Sequence, residues 1–382
     1  MDGDGLYSPP LSAHGKPRRT LVLLLSQMSL MLYDFGLSRL AEICLDQALD
    51  CEAAATEKAT ERGLPASSPG LIRHILKRAQ SERAVVTGNP DDALVYARES
   101  VLLAESTENA VEGWIAVARA YAAGAADPDG TYGSSRAAEL DAYANAMRVS
   151  VTVKSKGSKG GFQVPLSAYL KASKILMSSG RFLEAVNLLL EGCALYPSPS
   201  LFLSLGVSCL RLERVADAED ALQESNLLDC RRAEVWAFLC LLCLGSGAHR
   251  LTEAEKSCEQ ALRLGLTDAA ILRELATGYM AMDQLQRAED LVRRAMASEV
   301  RDRGAPNSYT RKLLADILAT QNSAAAAAEE YQAVIGDETA ATSTRLEAVR
   351  SCLGIVRSLG RFDEVAALEG IASSLTSERG SA

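Results

Sequence analysis

Cys240 and Cys243, three residues apart, form the one spacing in this chain that resembles a metal or redox pair. A structural zinc site takes four ligands, so the pair needs two more, and Cys258 and His249 are nearby in sequence. The competing reading is packing, since a buried thiol behaves as a small hydrophobe. Packing is the expected role here. Both cysteines fall at places that want small or medium side chains in a repeated helical pattern, and the run around them lacks the usual redox context. His14, His74 and His249 are the only histidines, and none sits beside a Cys or Ser in a nucleophile motif. The glycine run Gly157–Gly161 (GSKGG) does not match a phosphate-binding loop and joins no strand to a helix, so it reads as a linker. Glu219-Asp220 and the run from Glu253 to Glu259 read as solvated helix faces. No catalytic residue, cofactor or metal is expected.

What must position such residues is a set of helices. Apolar residues make up 48% of the 382 but aromatics only 5%, so the core is built from Ala and Leu. Small side chains let helices approach closely, which suits stacked helical pairs better than a sheet sandwich. The net charge of −9 argues against nucleic acid as a partner, because phosphate binding needs a clustered basic surface. Nine scattered cysteines among apolar residues read as reduced thiols of a cytosolic protein. Lys16, Arg18 and Arg19 precede Leu21–Leu25 in the manner of a signal peptide, but Ser26 and Gln27 interrupt the run. The longest apolar stretch, Val235–Leu244, is too short to span a bilayer, so no membrane partner is expected.

The organising feature is a repeat of about 34 residues. Phe202, Leu205, Gly206 and Cys209 lie on a first helix, and Ala218, Leu222 and Ser225 on a second. Trp236, Leu239, Cys240 and Cys243 follow in register, with Ala254, Cys258 and Ala261 displaced by a two-residue enlargement of the turn at Gly245–Arg250. Leu272, Leu275, Ala276 and Tyr279 come next, then Ala288, Val292 and Ala295; Tyr169 to Leu176 and Ala185 to Gly192 extend the pattern backward. The second-helix alanine therefore recurs at 185, 218, 254 and 288, spacings of 33, 36 and 34. Small residues sit where two helices cross, and large ones fill the gap to the next pair, so a single pair cannot bury its apolar side alone. Looser copies extend the array: Leu25 to Ala48, residues 71–104, Trp114 to Met147, Leu314 to Val334, and about 345–375.

This pattern resembles the tetratricopeptide (TPR) repeat. The fold expected is all-α, a right-handed α-solenoid of eight or nine TPR-like helix pairs. Residues 1–17 are expected as a disordered arm, 18–150 as the first pairs, 151–163 as a linker, 164–375 as the regular array and 376–382 as a frayed tail. In a TPR superhelix the residues one place past the large, the Gly-like and the aromatic positions look into the groove. Those are Leu203, Val207 and Leu210, then Ala237, Leu241 and Leu244, then Arg273 and Thr277. Phe202, Gly206, Ala218, Trp236, Ala254, Tyr279 and Ala288 are the packing positions. A groove this apolar is expected to hold a partner segment, the alternative being closure by tight curvature. Leu203, Val207, Ala237 and Leu241 offer no hydrogen-bond donors, so the carboxylate clamp of chaperone-binding TPR modules is not expected.

One stretch goes further. Residues 199–275 resemble the C-terminal TPR region of the cilia- and flagella-associated protein seventy family. The likeness rests on G-V-x-C-x-R-L-E from Gly206 to Glu213, A-E-D-A-L-x-E-x-N from Ala218 to Asn226, and A-E-V-W-A-F-L from Ala233 to Leu239, and covers about a fifth of the chain. The resemblance implies a non-enzymatic scaffold in the axoneme of a cilium or flagellum, of the central-apparatus type, with other axonemal proteins as partners. A cytosolic adaptor and a regulatory subunit bound to an enzyme in trans are the alternatives. Lys154, Lys156 and Lys159 form a small basic cluster that could give a weak contact to a tubulin tail, although a solvated loop explains it more simply.

Overall fold

Helix starts and stops recur at fixed places in the repeat. Ser198, Asp268 and Asn307 each stand eight residues before the small residue of a first helix, and each caps that helix. The Ser198 hydroxyl accepts from the Leu201 N–H, the Asp268 carboxylate from those of Ala270 and Ile271, and the Asn307 amide oxygen from that of Tyr309. Such caps stabilise a helix by ~1 kcal/mol each. The first helix stops five residues past the small residue, and two residues further on the chain turns through the left-handed region. Gly36, Gly88 and Gly180 occupy that place in the first copies, and Glu213, Asp283 and Asn322 in later ones. Each of these turns closes by the same bond from an N–H to the carbonyl five residues earlier, as in Asn89 to Ala84, Arg214 to Cys209 and Gln284 to Tyr279, at 2.9–3.0 Å. This is the Schellman ending, which satisfies the last carbonyls of the first helix while reversing the chain.

The computed structural model describes residues 15–61, 70–124, 132–154 and 164–380. Among them are eighteen α-helices and no strand. In order they are α1 (Gly15–Asp34), α2 (Ser38–Glu61), α3 (Gly70–Val86), α4 (Pro90–Leu102), α5 (Thr107–Gly124), α6 (Tyr132–Lys154), α7 (Leu166–Ser178), α8 (Phe182–Leu195) and α9 (Pro199–Arg211). Then follow α10 (Val215–Leu228), α11 (Ala233–Ser246), α12 (Leu251–Arg263), α13 (Ala269–Ala281), α14 (Leu285–Arg303), α15 (Ser308–Thr320), α16 (Ala324–Ile335), α17 (Thr342–Ser358) and α18 (Phe362–Gly380). Contacts join consecutive helices in pairs: α1 with α2, α3 with α4 and α5 with α6, then α9 with α10, α11 with α12, α13 with α14, α15 with α16 and α17 with α18. A 3-10 turn at Ala248–Arg250 takes up the two extra residues expected between α11 and α12.

The chain divides into two compact units between Leu188 and Leu189, within α8. In the first unit, Val22, Leu45, Ile72 and Leu76 join α1, α2 and α3 in one apolar cluster, and Ala84, Ala93 and Ala120 join α3, α4 and α5. In the second, a continuous core runs from Ala237 in α11 to Leu375 in α18. The small residues sit at the crossings in both. Ala41, Ala93, Ala185, Ala218, Ala254, Ala288 and Ala327 are all fully buried. Where a serine replaces glycine on the first helix its hydroxyl is satisfied. Ser29 donates to the Ala41 carbonyl and Ser81 to that of Ala93, at 2.8 and 2.9 Å, each a bond across the crossing.

Several expected boundaries move. α1 begins at Gly15, inside the expected arm; α6 continues to Lys154, into the expected linker; and α18 runs to Gly380, through the expected frayed tail. Residues 1–14, 155–163 and 381–382 lie outside the described residues, as do 62–69 and 125–131. Among the described residues no helix is long and apolar enough to cross a membrane.

Candidate protein-binding cleft

Four first helices of the second unit, α9, α11, α13 and α15, place side chains around a cavity of about 890 Å³. Its floor is apolar: Val207 and Leu210 come from α9, and Phe238 and Leu241 from α11. Its rim is charged. Arg211 of α9 reaches Glu274 of α13 through both carboxylate oxygens, at 2.5 and 2.7 Å. Arg273 of α13 is held by the Glu299 carboxylate, donates to the Thr310 hydroxyl at 3.1 Å, and lies 5.7 Å from the centre of the Tyr309 ring.

Glu299 is the anchor behind that rim. It is 5% exposed on α14, and besides Arg273 it accepts from the Thr310 hydroxyl and from the Asn307 backbone N–H, both at 2.8 Å. A buried carboxylate is tolerated only when paired and bonded in this way. The network ties α13, α14 and the start of α15 together, and fixes the guanidinium above the cavity.

Of the residues expected to face the groove, the structure gathers Val207, Leu210, Leu241, Arg273 and Thr277 around this one cavity. Leu203 is half-buried and does not line it. Ala237 and Leu244 are corrected: they are 0% and 3% exposed. Leu244 lies against Gly278 of α13, so close that a Cβ there would stand 2.9 Å from its Cδ1. The glycine lets α11 and α13 come together, and that approach covers the side of α11 expected to be open. Phe238, Arg211, Glu274 and Tyr309 were not anticipated as cleft residues. The floor is lined by apolar side chains, and the rim supplies two arginines. Both are already engaged by carboxylates, so a carboxylate clamp would have to break an existing ion pair.

The packing positions behave as helix contacts. Gly206 has no room for a side chain, since a Cβ would stand 2.6 Å from Leu222 Cγ. Ala218, Ala254, Tyr279 and Ala288 are fully buried, while Phe202 and Trp236 are half-buried. The Trp236 indole N–H donates to the Cys230 carbonyl at 2.9 Å.

Cys193, Cys209, Cys240 and Cys243 are enclosed as packing residues are, whereas the hydrogen bond with Cys240 lowers the pKa of buried Cys258, and Cys230 is exposed. Cys240 is fully buried with Sγ 3.6 Å from the Tyr279 hydroxyl; a hydrogen bond with Cys258, together with burial, raises its pKa. Burial likewise raises Cys243, Cys209 and Cys193, the last to about 11. A protonated, enclosed thiol is a poor nucleophile and a poor metal ligand. Among the described residues no three His, Cys, Asp or Glu side chains are grouped to hold a metal ion. His249 is exposed and His74 buried; His14, Lys156, Lys159 and the glycine run lie outside the described residues.

Paired helices with a small-residue crossing, a left-handed turn between them and a cleft lined by first helices define a TPR protein. The family model for the cilia and flagella-associated protein 70 C-terminal domain matches residues 47–349, and the chain belongs to that family. Cilia- and flagella-associated protein 70 of Macaca fascicularis is 38% identical over 109 residues, which is 28% of this chain and 11% of that protein. The Homo sapiens protein matches at the same identity over 10% of its length, so the match spans about a tenth of these relatives. Two solved structures share the fold. A tetratricopeptide repeat protein from Parabacteroides merdae has a TM-score of 0.51 at 12% identity, covering 75% of this chain and 99% of that one. Human IFIT1, solved as a dimer with PPP-AAAA, has a TM-score of 0.50 at 15% identity, covering 96% of this chain and 82% of that one.

Proposed function

We propose that this chain is a non-enzymatic TPR scaffold that holds protein partners inside a ciliary or flagellar assembly, as a structural part of the axoneme of the central-apparatus type. The observation that carries this reading is the family match over residues 47–349, which takes in α3 to α16 whole. The cleft supports it: an apolar floor with a polar rim is the form of a surface that receives a peptide or helix from another protein. Leu203, although outside the cavity, belongs to the same first-helix row and is assigned to the edge of that surface. Any contact with tubulin would be indirect or weak.

Fractionation of tagged protein from ciliated cells tests the proposal. The protein is expected to stay with the microtubule pellet after detergent and salt extraction. Leu241→Glu, which puts a charge on the cleft floor, is expected to release most of it to the supernatant while leaving its helical content unchanged. Complete extraction of the wild-type protein by detergent would instead identify a cytosolic adaptor.

A further inference from the structure

Tyr309 lines a second cavity, of about 740 Å³, besides the cleft. This one lies where the connection from α14 to α15 and the start of α15 face Ala333 of α16 and the connection from α16 to α17. Its charged side chains are Arg303, Arg311 and Asp337. Asp337 is already occupied. One carboxylate oxygen accepts from the Ser308 hydroxyl, the other from the Thr339 N–H at 3.0 Å and the Thr339 hydroxyl at 2.6 Å. These bonds, that of Ser308 foremost, hold its carboxyl below the ordinary carboxylate range; Arg311 adds to the effect from outside ion-pair distance. Neither guanidinium makes a side-chain hydrogen bond or ion pair with any described residue. Arg211, Arg250, Arg273 and Arg287 of the same unit, by contrast, each pair with a carboxylate of another helix.

The cavity at the same place one repeat earlier, around the connection from α12 to α13, is lined by Glu234, Asp268, Glu299 and Asp302 against Arg273 and Arg303. There carboxylates outnumber guanidiniums, and Glu299 holds Arg273. One repeat on, the balance reverses, although the chain as a whole carries −9. We propose that the second cavity docks an acidic peptide segment of a protein partner, its carboxylates received by Arg303 and Arg311. Charge complementarity selects that occupant. The arginine fork matches a carboxylate with two parallel N–H donors, and such charge-assisted bonds are about twice as strong as neutral ones. A space of about 740 Å³ is of the size that encloses a ligand much larger than a single phosphate or sulfate. Pro306, Ala333 and Ala341 add small apolar surfaces to its wall, on which a peptide backbone can lie. The site is separate from the cleft, whose two arginines are engaged, and does not depend on what fills the cleft.

Fluorescence anisotropy of a fluorescein-labelled Glu-Gly-Glu-Gly-Glu peptide, titrated with the full 382-residue chain, tests this. Binding is expected, and it should weaken about tenfold between ~50 and ~300 mM sodium chloride as the exposed pairs are screened. Arg303→Gln/Arg311→Gln is expected to weaken it about tenfold with unchanged circular dichroism. Arg231→Gln/Arg294→Gln removes the same charge from two exposed positions outside the cavity and is expected to leave binding intact. Leu241→Asn, a neutral change on the cleft floor, should also leave it intact, so a failure of the cleft reading and a failure of this one are told apart. Absence of binding to the wild-type chain overturns the proposal, as does equal binding of Gln-Gly-Gln-Gly-Gln or equal loss in the two double variants. Displacement of the peptide by millimolar inorganic phosphate at constant ionic strength would also overturn it, in favour of a small-anion site.

Discussion

His74 shows how much a single buried side chain can dictate. It is fully buried on α3, with Nδ1 2.8 Å from the Ser100 carbonyl and no partner for Nε2. The neutral ring, donating through Nδ1, satisfies that carbonyl; a protonated ring would bury a second N–H and a charge with nothing to receive them. Burial lowers its pKa from the ordinary 6.5, with Arg78 adding to the effect and the Ser100 bond opposing it. A group that takes up its proton less readily when folded stabilises the protein above its unfolded pKa, and that contribution is lost as the pH falls below it. Urea unfolding of the first unit is therefore expected to weaken from pH 7 toward pH 5, by up to ~1.4 kcal/mol per pH unit. His74→Gln, which keeps a donor for Ser100 and does not titrate, should remove that slope. An unchanged slope would show that some other group is responsible.

The helix pair is the element on which stability turns, and its tightest point is Gly206. With a Cβ there only 2.6 Å from Leu222 Cγ and 3.4 Å from the Ala218 carbonyl, Gly206→Ala forces two fully buried neighbours apart. The expected cost is ~2 kcal/mol in urea unfolding, and a bulkier Gly206→Leu should melt the pair outright. Trimming Leu222 to alanine in the Gly206→Ala background should recover part of the loss, so the two changes should be less than additive. Much of this element was legible in sequence, because small residues twelve apart on consecutive helices have one packing meaning. Gly88 and Gly180 mark two of the left-handed turns by residue type. Glu213, Asp283 and Asn322 do the same backbone work without the telltale residue. The cleft was half legible. A rule of one place past each packing position assumes that every first helix is rotated alike, and Gly278 breaks that assumption by drawing α13 onto Leu244. The rim pair Arg211–Glu274 spans 63 residues, and no local spacing announces it.

At the scale of the whole molecule, stacked pairs make stability a sum of local terms and neighbour contacts. α18 contributes Leu368 and Leu375 to the core of the second unit, where they are 6% and 2% exposed. Ending the chain at Gly360 removes both, at roughly 1.5–3 kcal/mol for each leucine. Hydrogen exchange should then quicken along α17, the helix against which α18 packs, and stay unchanged in α9 to α12. Exchange that quickens uniformly would mean the unit unfolds as one block. The rim of the cleft carries its own consequence at this scale. Both guanidiniums of the rim are balanced by carboxylates of the same chain, so the mouth offers a guest no unengaged positive charge. A guest entering it is read by contour rather than by charge, and its grip should barely respond to ionic strength. Such indifference suits a component that must keep its hold while the surrounding electrolyte changes.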